Sequence, residues 1–188
     1  MKNIIIGGTV RAGKTTLSTM INHQLGYSLV ESDTIVNAFD VVFPELGIVH
    51  NKPKQAQEIY KPFLHEVLNG LYRTLKYSNA VSVFPGSQIT PEGMNEYEKK
   101  DKYIIIFLGM NDSTPEELFK TIREHDTEND WTFKREDEKL LSDCREIIRL
   151  SNGYEEGCKK YGFYYFATSK NRKETLQKIV DWIKQINI

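Results

Sequence analysis

Short apolar runs alternate along this chain with longer segments in which apolar residues recur every three or four positions. The short runs are rich in Ile, Val, Phe and Tyr, which is typical of strands, and their near-continuous apolar character suits strands buried on both faces. Strands that alternate with helical segments predict an α/β fold with a parallel sheet. The predicted strands are Asn3 to Ile6, Tyr27 to Val30, Ala80 to Phe84, Tyr103 to Leu108 and Phe163 to Ala167.

The segments between the strands carry apolar stripes with helical spacing. A long stripe follows the second strand, and Pro62 is expected to start or kink part of that helix. Thr90-Pro91-Glu92 and Thr114-Pro115-Glu116-Glu117 each place a hydroxyl at an N-cap and a proline at the first helical position. Two further stripes, over 140–148 and 176–186, predict the last two helices.

One polar stretch, Glu124 to Lys139, interrupts two of these helical patterns. A long polar loop inside a compact domain is often a lid over an active site. The alternative is a solvated surface loop without a function of its own. We call this stretch the lid segment.

Length and charge limit the classes of function. A chain of 188 residues fits one domain, 1–188, better than two. Its 25 Lys and Arg nearly cancel its 26 Asp and Glu, which disfavours nucleic acid and anionic membranes as general partners. No apolar run reaches the length of a membrane span and no signal peptide is recognisable, so we expect a cytoplasmic protein. Cys144 and Cys158 lack the spacing of a zinc site and are expected to be reduced and structural.

The clearest motif is Gly8-Thr9-Val10-Arg11-Ala12-Gly13-Lys14-Thr15, which matches the P-loop pattern in full between a predicted strand and a predicted helix. Glycines allow the backbone to turn tightly and to point successive N–H groups at phosphate oxygens. The helix N-terminus adds its positive end. The alternative, a chance match in a glycine-rich turn, does not explain the flanking strand and helix.

The motif assigns roles to individual side chains. Lys14 is expected to be solvated until it reaches the β- and γ-phosphates, the Thr15 hydroxyl to ligate Mg²⁺, and Thr16 to lie near the α-phosphate. The predicted nucleotide-binding residues are Gly8, Arg11, Ala12, Gly13, Lys14, Thr15 and Thr16.

Two carboxylates follow the second strand, in Val30-Glu31-Ser32-Asp33. They lie at the carboxyl edge of the predicted sheet, where ligands bind in open α/β folds. Asp33, with Glu31 as the second choice, is the candidate to orient or deprotonate an attacking hydroxyl and to hold the metal. The alternative, which is compatible with the first, is that Ser32 or Asp33 caps the next helix.

The third strand runs into Phe84-Pro85-Gly86-Ser87-Gln88, with no acid at its tip. The missing acid disfavours the motor and AAA-type ATPases, which keep a metal-orienting acid at this position. Asp33 is therefore the predicted residue that organises the metal. The stretch Asn51-Lys52-Pro53-Lys54 has lysine where a guanine-reading aspartate belongs, which disfavours a GTPase. Adenine is therefore the expected base.

In these residues the chain resembles the superfamily of P-loop kinases that act on nucleosides, nucleotides and small metabolites. That superfamily includes shikimate, gluconate and adenylate kinases and chloramphenicol phosphotransferase. Glu31-Ser32-Asp33 looks like the acidic pair of shikimate-type kinases, and Phe84-Pro85-Gly86 is similar to an adenylate kinase turn that has arginine in place of Gly86. That difference disfavours a nucleoside monophosphate as acceptor.

The resemblance implies a five-stranded parallel sheet flanked by helices, a substrate-binding segment from Thr34 to Ser78, and an arginine-bearing lid within 123–139. Arg123 is at the position of a catalytic lid-base arginine, and Arg145 and Arg149 lie on one face of the next helix. For each of these three, a solvated helix face is as good an explanation as a catalytic role. Arg135 is a further candidate. The loop that begins at Thr168 is similar to the one that wraps adenine in such kinases.

The sequence therefore predicts an enzyme that uses ATP and Mg²⁺ to phosphorylate a hydroxyl of a small metabolite, as a monomer or homodimer. A nucleoside or nucleotide acceptor is the nearest alternative. An ATP-binding regulatory protein without productive transfer is another, but it would not need an acid on the acceptor side.

Overall fold

Five parallel strands form one sheet in the order β2-β3-β1-β4-β5. The computed structural model describes residues 1–48 and 53–187, with the backbone alone over 53–56. The α/β prediction and all five predicted strands are confirmed, with strand ends that shift by at most two residues. The strands are β1 Asn3–Gly8, β2 Ser28–Leu29, β3 Ser82–Pro85, β4 Tyr103–Gly109 and β5 Tyr164–Ala167.

Helices connect the strands and cover both faces of the sheet. They are α1 Lys14–Leu25, α2 Ser32–Val42, α3 Pro53–Ser78, α4 Pro91–Glu96, α5 Pro115–His125, α6 Asp137–Tyr161 and α7 Arg172–Ile186, with short 3-10 turns at Pro44–Leu46 and Lys100–Lys102. Pro62 lies inside α3 and does not start it. Within 1–48 and 53–187, no helix combines the length and the apolar character of a membrane span.

The central strands are buried on both faces because alternate side chains enter two different cores. Ile4 and Ile6 of β1 pack with α1, α5 and α7, whereas Ile5 packs with α2, α3 and α4. Every residue of β1, β3 and β4 is buried, as predicted. The same expectation is wrong for β2 and β5, which are only partly buried because each lies at an edge of the sheet.

Local signals in the sequence set the helix starts. The Thr114 hydroxyl accepts a hydrogen bond from the Glu117 N–H, and the Glu117 carboxylate accepts one from the Thr114 N–H, which together form the capping box at the start of α5. Thr90 caps α4 by accepting from the Gly93 N–H at 3.1 Å. Both predicted caps are confirmed.

The two cysteines are buried and unpaired, Cys144 in one core and Cys158 in the other. Burial raises the pKa of the Cys144 thiol to about 11 and that of Cys158 to about 12. Thiols that stay protonated inside a core fit the structural role expected for them. Residues 49–52, which belong to the predicted substrate-binding segment and include the Asn51-Lys52 used against a GTPase, lie outside the described residues.

Candidate active site

The P-loop connects central strand β1 to α1, and two of its positions require glycine. Gly8 has φ 134°, and a Cβ there would lie 2.2 Å from the Leu108 carbonyl oxygen. Gly13 has φ 90° and occupies the N-cap of α1, where no side chain accepts from the helix N–H groups. The first turn of α1 also contains no acid, so its N–H groups remain available for an anion.

The P-loop is held in place from both sides. The Thr9 N–H donates to the Leu108 carbonyl at 3.1 Å, and the Thr9 hydroxyl lies 3.2 Å from the Ser151 hydroxyl on α6. On the other side, the buried Thr168 hydroxyl donates to the Ala12 carbonyl at 2.8 Å. The loop therefore has a fixed shape before any ligand binds.

Lys14 is buried, and the expectation that it is solvated is wrong. Its Nζ donates to the carbonyl oxygens of Gly8 and Thr9 at 3.1 and 2.8 Å, so the loop itself binds the ammonium group. Burial lowers the pKa of Lys14 to about 8, although the charge of Asp33 opposes this change. A phosphate would supply the negative charge that this lysine lacks.

A small cavity of about 20 Å³ brings four predicted site residues together: Lys14, Thr15, Glu31 and Asp33. This volume accommodates one species the size of a water molecule. Asp33 Oδ1 is buried and has no hydrogen-bond partner in the described structure. One hydroxyl and two carboxylates are the hard oxygen ligands that Mg²⁺ prefers, so the residues present fit this ion.

Mg²⁺ usually binds through one or two carboxylates together with substrate phosphates, rather than in an all-protein cage. Within the described residues, no cluster of three or more His, Cys, Asp or Glu side chains is arranged to hold a metal. The donors that fit Mg²⁺ here are therefore Thr15 and Asp33, with Glu31 beside them.

The capping alternative for Ser32 and Asp33 is wrong. The N-cap of α2 is Glu31, and no side chain accepts a capping hydrogen bond there. The Ser32 hydroxyl instead lies 3.0 Å from the Tyr60 hydroxyl, and a Cβ on Gly86 would meet Ser32 at 2.7 Å. Position 86 thus has no room for the arginine of the adenylate kinase turn.

A large cavity of about 920 Å³ opens on one side of the P-loop and shares Asp33 with the small one. Gly8, Thr9 and Val10 form its floor beside Asp33. Side chains of the lid segment and α6, which include Trp131, Arg135, Asp143, Leu150 and Tyr154, form its opposite wall. The shared carboxylate therefore faces both the phosphate-binding loop and a space large enough for a second substrate.

A third cavity, of about 300 Å³, lies beside Arg11 and Arg172, and it also involves α5 and Ser169. Asp112 orders the loop after β5 by accepting from the N–H groups of Ser169 and Lys170, both at 3.1 Å. Burial lowers the pKa of Arg172, and the neighbouring charge of Arg11 lowers it further. Arg11 precedes α1 and Arg172 begins α7, and the plane of a guanidinium group can stack on an aromatic ring.

Arg11 connects the P-loop to the lid segment. Its Nη2 lies 2.7 Å from Asp126 Oδ1, and its Nη1 pairs with Asp130. Asp126 is almost fully buried and also accepts from the Thr132 hydroxyl at 2.6 Å. This predicted nucleotide-binding residue is therefore bound to two acids in the ligand-free protein.

Arg123 has a different environment from the one predicted for a catalytic lid arginine. Its five N–H donors go to the carbonyl oxygens of Thr132, Phe133 and Arg135 and to Asp137, so no donor is left for a phosphate. Arg123 therefore holds the lid segment against α5 in this structure. A catalytic role for it stays a prediction.

The other candidate arginines divide into two groups. Arg135 lines the large cavity and donates to Asp143 from Nε at 2.9 Å and from Nη2 at 3.2 Å, which leaves Nη1 for another acceptor. Arg149 pairs with Glu146 at the surface, and Arg145 lies 4.0 Å from Glu116. Of Arg135, Arg145 and Arg149, Arg135 is the one that lines the large cavity.

Sequence reasoning did not single out Arg172, Asp112 or the wall residues Gln57 and Tyr154. The adenine-type loop after β5 pointed to the region of Arg172 but to no particular side chain. Asp112 follows β4 directly, and its position at the carboxyl edge was a usable signal. Gln57 and Tyr154 carried no motif, because only the packing of α3 and α6 brings them to the cavity.

The sheet order and the P-loop are those of an α/β P-loop fold, and the comparisons confirm the predicted resemblance to kinases of this fold. The chain is 28% identical over 154 residues to a shikimate kinase of Caldicellulosiruptor saccharolyticus, which covers 81% of this chain and 78% of that protein. No protein-family model matches.

Two solved structures show the same fold over nearly the whole chain. A shikimate kinase of Bacteroides thetaiotaomicron superposes with a TM-score of 0.60 at 16% identity, covering 99% of this chain and 98% of that one. A gluconokinase of Sinorhizobium meliloti superposes with a TM-score of 0.60 at 13% identity, covering 98% and 93%. At these identities the likeness shows the fold alone.

Proposed function

We propose that this protein is a kinase that uses MgATP to phosphorylate a hydroxyl group of a small molecule. One observation carries the proposal: Asp33 lines both the small cavity with Lys14 and Thr15 and the large cavity beside it. A protein that only binds nucleotide needs the first of these cavities. A phosphoryl transferase needs a carboxylate that faces both substrates.

The two larger cavities and the P-loop between them suit different parts of the substrates. The cavity at Arg11 and Arg172 suits the nucleoside end of ATP, the loop and the α1 N-terminus suit its phosphates, and the large cavity suits the acceptor. The names of the relatives, shikimate kinase and gluconokinase, support a hydroxyl-bearing metabolite. The ATP and Mg²⁺ dependence, the single domain and the cytoplasmic location stay predictions.

In the proposed reaction, the acceptor oxygen forms a bond to the γ-phosphorus as the bond from that phosphorus to the bridging oxygen breaks, and ADP leaves. Asp33 orients the hydroxyl and takes its proton. Lys14 leaves the carbonyl groups of Gly8 and Thr9 for the phosphates, and Arg135 Nη1 approaches the transferred group. Bound Mg²⁺, held by Thr15 and Asp33, would neutralise part of the phosphate charge.

A nucleoside monophosphate acceptor is a weaker candidate. Gly86 packs against Ser32 with no space for a side chain, so the arginine of the adenylate kinase turn has no counterpart here. An ATP-binding regulator is also a weaker candidate, because regulation by ATP gives no role to the contact of Asp33 with the large cavity.

The test compares Asp33→Asn with Lys14→Ala in two assays, MgATP binding by calorimetry and phosphoryl transfer by mass spectrometry of a metabolite panel. We expect Asp33→Asn to bind MgATP like the wild type but to transfer about a hundredfold more slowly. Lys14→Ala should lose turnover of ATP while it remains folded. Transfer at the wild-type rate by Asp33→Asn would refute the role of this acid, and ATP turnover by Lys14→Ala within a few-fold of wild type would refute the P-loop assignment.

A further inference from the structure

A buried pair of hydroxyl groups lies next to Asp33. Ser32, the residue before it in the chain, and Tyr60 of α3 are both fully buried, and their hydroxyl oxygens lie 3.0 Å apart. Burial raises the pKa of Tyr60 more than the hydrogen bond to Ser32 lowers it, so the phenol stays protonated at neutral pH. Because neither side chain reaches solvent, water does not compete for this hydrogen bond.

Ser32 fixes the N-terminus of α2, because the rest of this helix has little contact with the core. Of the eleven residues of α2, only Ser32 and Val36 are buried. The turn after β3 also touches Ser32, since a Cβ on Gly86 would lie 2.7 Å from the Ser32 Cβ. No side chain caps the helix at Glu31. The first turn of α2 is therefore held chiefly by the packing and the hydrogen bond of Ser32.

The position of the Asp33 carboxylate depends on this attachment. Asp33 lines the small cavity together with Lys14 and Thr15, and its buried Oδ1 has no hydrogen-bond partner within the described residues. Because no hydrogen bond holds that oxygen, the backbone of the first turn of α2 decides where it lies. A displacement of about 1 Å at a reacting group is enough to slow a reaction severely.

Tyr60 lies on a helix that also borders the large cavity. Gln57 lines that cavity and precedes Tyr60 by three positions, so the two side chains are neighbours on the surface of α3. Tyr60 itself is not among the described residues that line either cavity beside Asp33. Its hydroxyl can therefore influence the site only through Ser32.

We propose that Tyr60 is a positioning residue, which through Ser32 holds Asp33 at the point where the small and the large cavity meet. The proposal rests on the proposed function, because it gives Tyr60 a part in placing the base of that reaction. The alternative is that the two hydroxyl groups only stabilise the core. The two explanations differ in what the loss of one hydroxyl does to catalysis.

Two matched variants separate these explanations. Tyr60→Phe removes the hydroxyl and keeps the ring in the core. Tyr103→Phe is the control, because Tyr103 is also buried and its hydroxyl donates to the Leu68 carbonyl of the same helix α3. Tyr103 begins β4 and pairs with Asn3, so it lies at the edge of the sheet opposite the P-loop. Both variants lose a buried hydrogen bond to α3 or from it, but only one loses it beside Asp33.

The first measurement is turnover of MgATP, followed as release of ADP with a reactive acceptor from the metabolite panel, or with water alone if no member reacts. We expect Tyr60→Phe to lower kcat about tenfold or more, with a KM for MgATP within about twofold of the wild type, because the P-loop is unchanged. Tyr103→Phe should keep kcat within about twofold of the wild type. The same kcat in both variants would overturn the proposal.

Combined substitutions test whether Tyr60 acts through Asp33. Added to Asp33→Asn, Tyr60→Phe should cause no further loss of kcat, because the base that it positions is already absent. Ser32→Ala removes the other hydroxyl of the pair and should reproduce the kinetic effect of Tyr60→Phe. A second loss of kcat in the double variant, equal to that in Tyr60→Phe alone, would overturn the route through Asp33.

The second measurement needs no substrate. Amide hydrogen exchange of the ligand-free protein reports how firmly α2 is held. We expect the amides of α2 to exchange about tenfold faster in Tyr60→Phe than in Tyr103→Phe, with both rates corrected for the change in global stability. Equal exchange of α2 in the two variants would overturn the attachment.

The two levels of failure are distinguishable. Turnover that is lost in Asp33→Asn and unchanged in Tyr60→Phe would leave the kinase proposal intact and remove the role of Tyr60. Absence of both MgATP binding and turnover in the wild type would remove the proposed function itself. Hydrogen exchange would then decide alone whether Tyr60 holds α2 and Asp33 in place.

Discussion

Burial of Lys14 makes the free energy of unfolding of the ligand-free protein depend on pH. Burial lowers the pKa of Lys14 from the ordinary value of 10.5 to about 8. Below pH 8, Lys14 is charged in both the folded and the unfolded chain, and its burial lowers the free energy of unfolding by the full amount. Above pH 10.5, Lys14 is neutral in both states and this loss of stability is absent. Between these values the unfolded chain binds the extra proton, so the free energy of unfolding rises with pH.

The difference between 10.5 and about 8 corresponds to about 3 kcal/mol of unfolding free energy. Lys14→Met removes the titrating group while it keeps a long side chain in the same place. We expect the unfolding free energy of the wild type, relative to that of Lys14→Met, to rise by about 2 kcal/mol between pH 8 and pH 10.

Urea denaturation of both proteins at a series of pH values measures this difference. All other titratable groups are common to both proteins, so their contributions cancel in the difference. Lys173→Met serves as the control, because Lys173 is exposed on α7 and its removal should leave the wild-type pH profile unchanged. Parallel profiles for the wild type and Lys14→Met would refute the reasoning.

Trp131, Arg135 and Arg123 supply three further predictions. A non-hydrolysable MgATP analogue should shift the emission of Trp131, which is half-exposed, and not that of Trp182, which packs against Tyr164 and Phe166. The shift should disappear in Trp131→Phe, and a shift in both proteins or in neither would favour the solvated-loop alternative. Arg135→Gln should lower kcat about a hundredfold with little change in melting temperature. Arg123→Gln should instead lower the melting temperature, because Arg123 binds carbonyl groups of the lid segment. A large loss of kcat in Arg123→Gln with an unchanged melting temperature would instead support Arg123 as the catalytic arginine.

The features that were predictable from sequence are those with a local physical cause. The strand β4 is a continuous apolar run because both of its faces are buried. Gly8 and Gly13 appear in the motif because their backbone angles disfavour other residues. Thr114 and Glu117 form their capping box within three residues of each other. Each of these signals is complete in a short stretch of chain.

The features that escaped prediction depend on contacts between distant segments. Arg11 pairs with Asp130, 119 positions away, and nothing in the P-loop motif indicates that partner. Arg123 precedes the lid segment and Arg135 lies within it, and only the path of the chain decides that one binds backbone carbonyls while the other lines a cavity. Lys14 resembled a solvated lysine in sequence because its acceptors are main-chain oxygens, which no residue identity reveals.

The attachment of the P-loop to Leu108, Ser151 and Thr168 has a consequence for how the protein opens. These partners belong to the central strand, to the middle of α6 and to the loop after β5, so we expect the Thr9 amide, which donates to Leu108, to exchange with solvent only when that framework comes apart. The lid segment is attached chiefly through Arg123 and through the acids bound to Arg11, so we expect it to open in a separate event of lower free energy. Under the proposed function, substrates would then exchange by opening of the lid segment while the contacts of Thr9 and Ala12 stay intact.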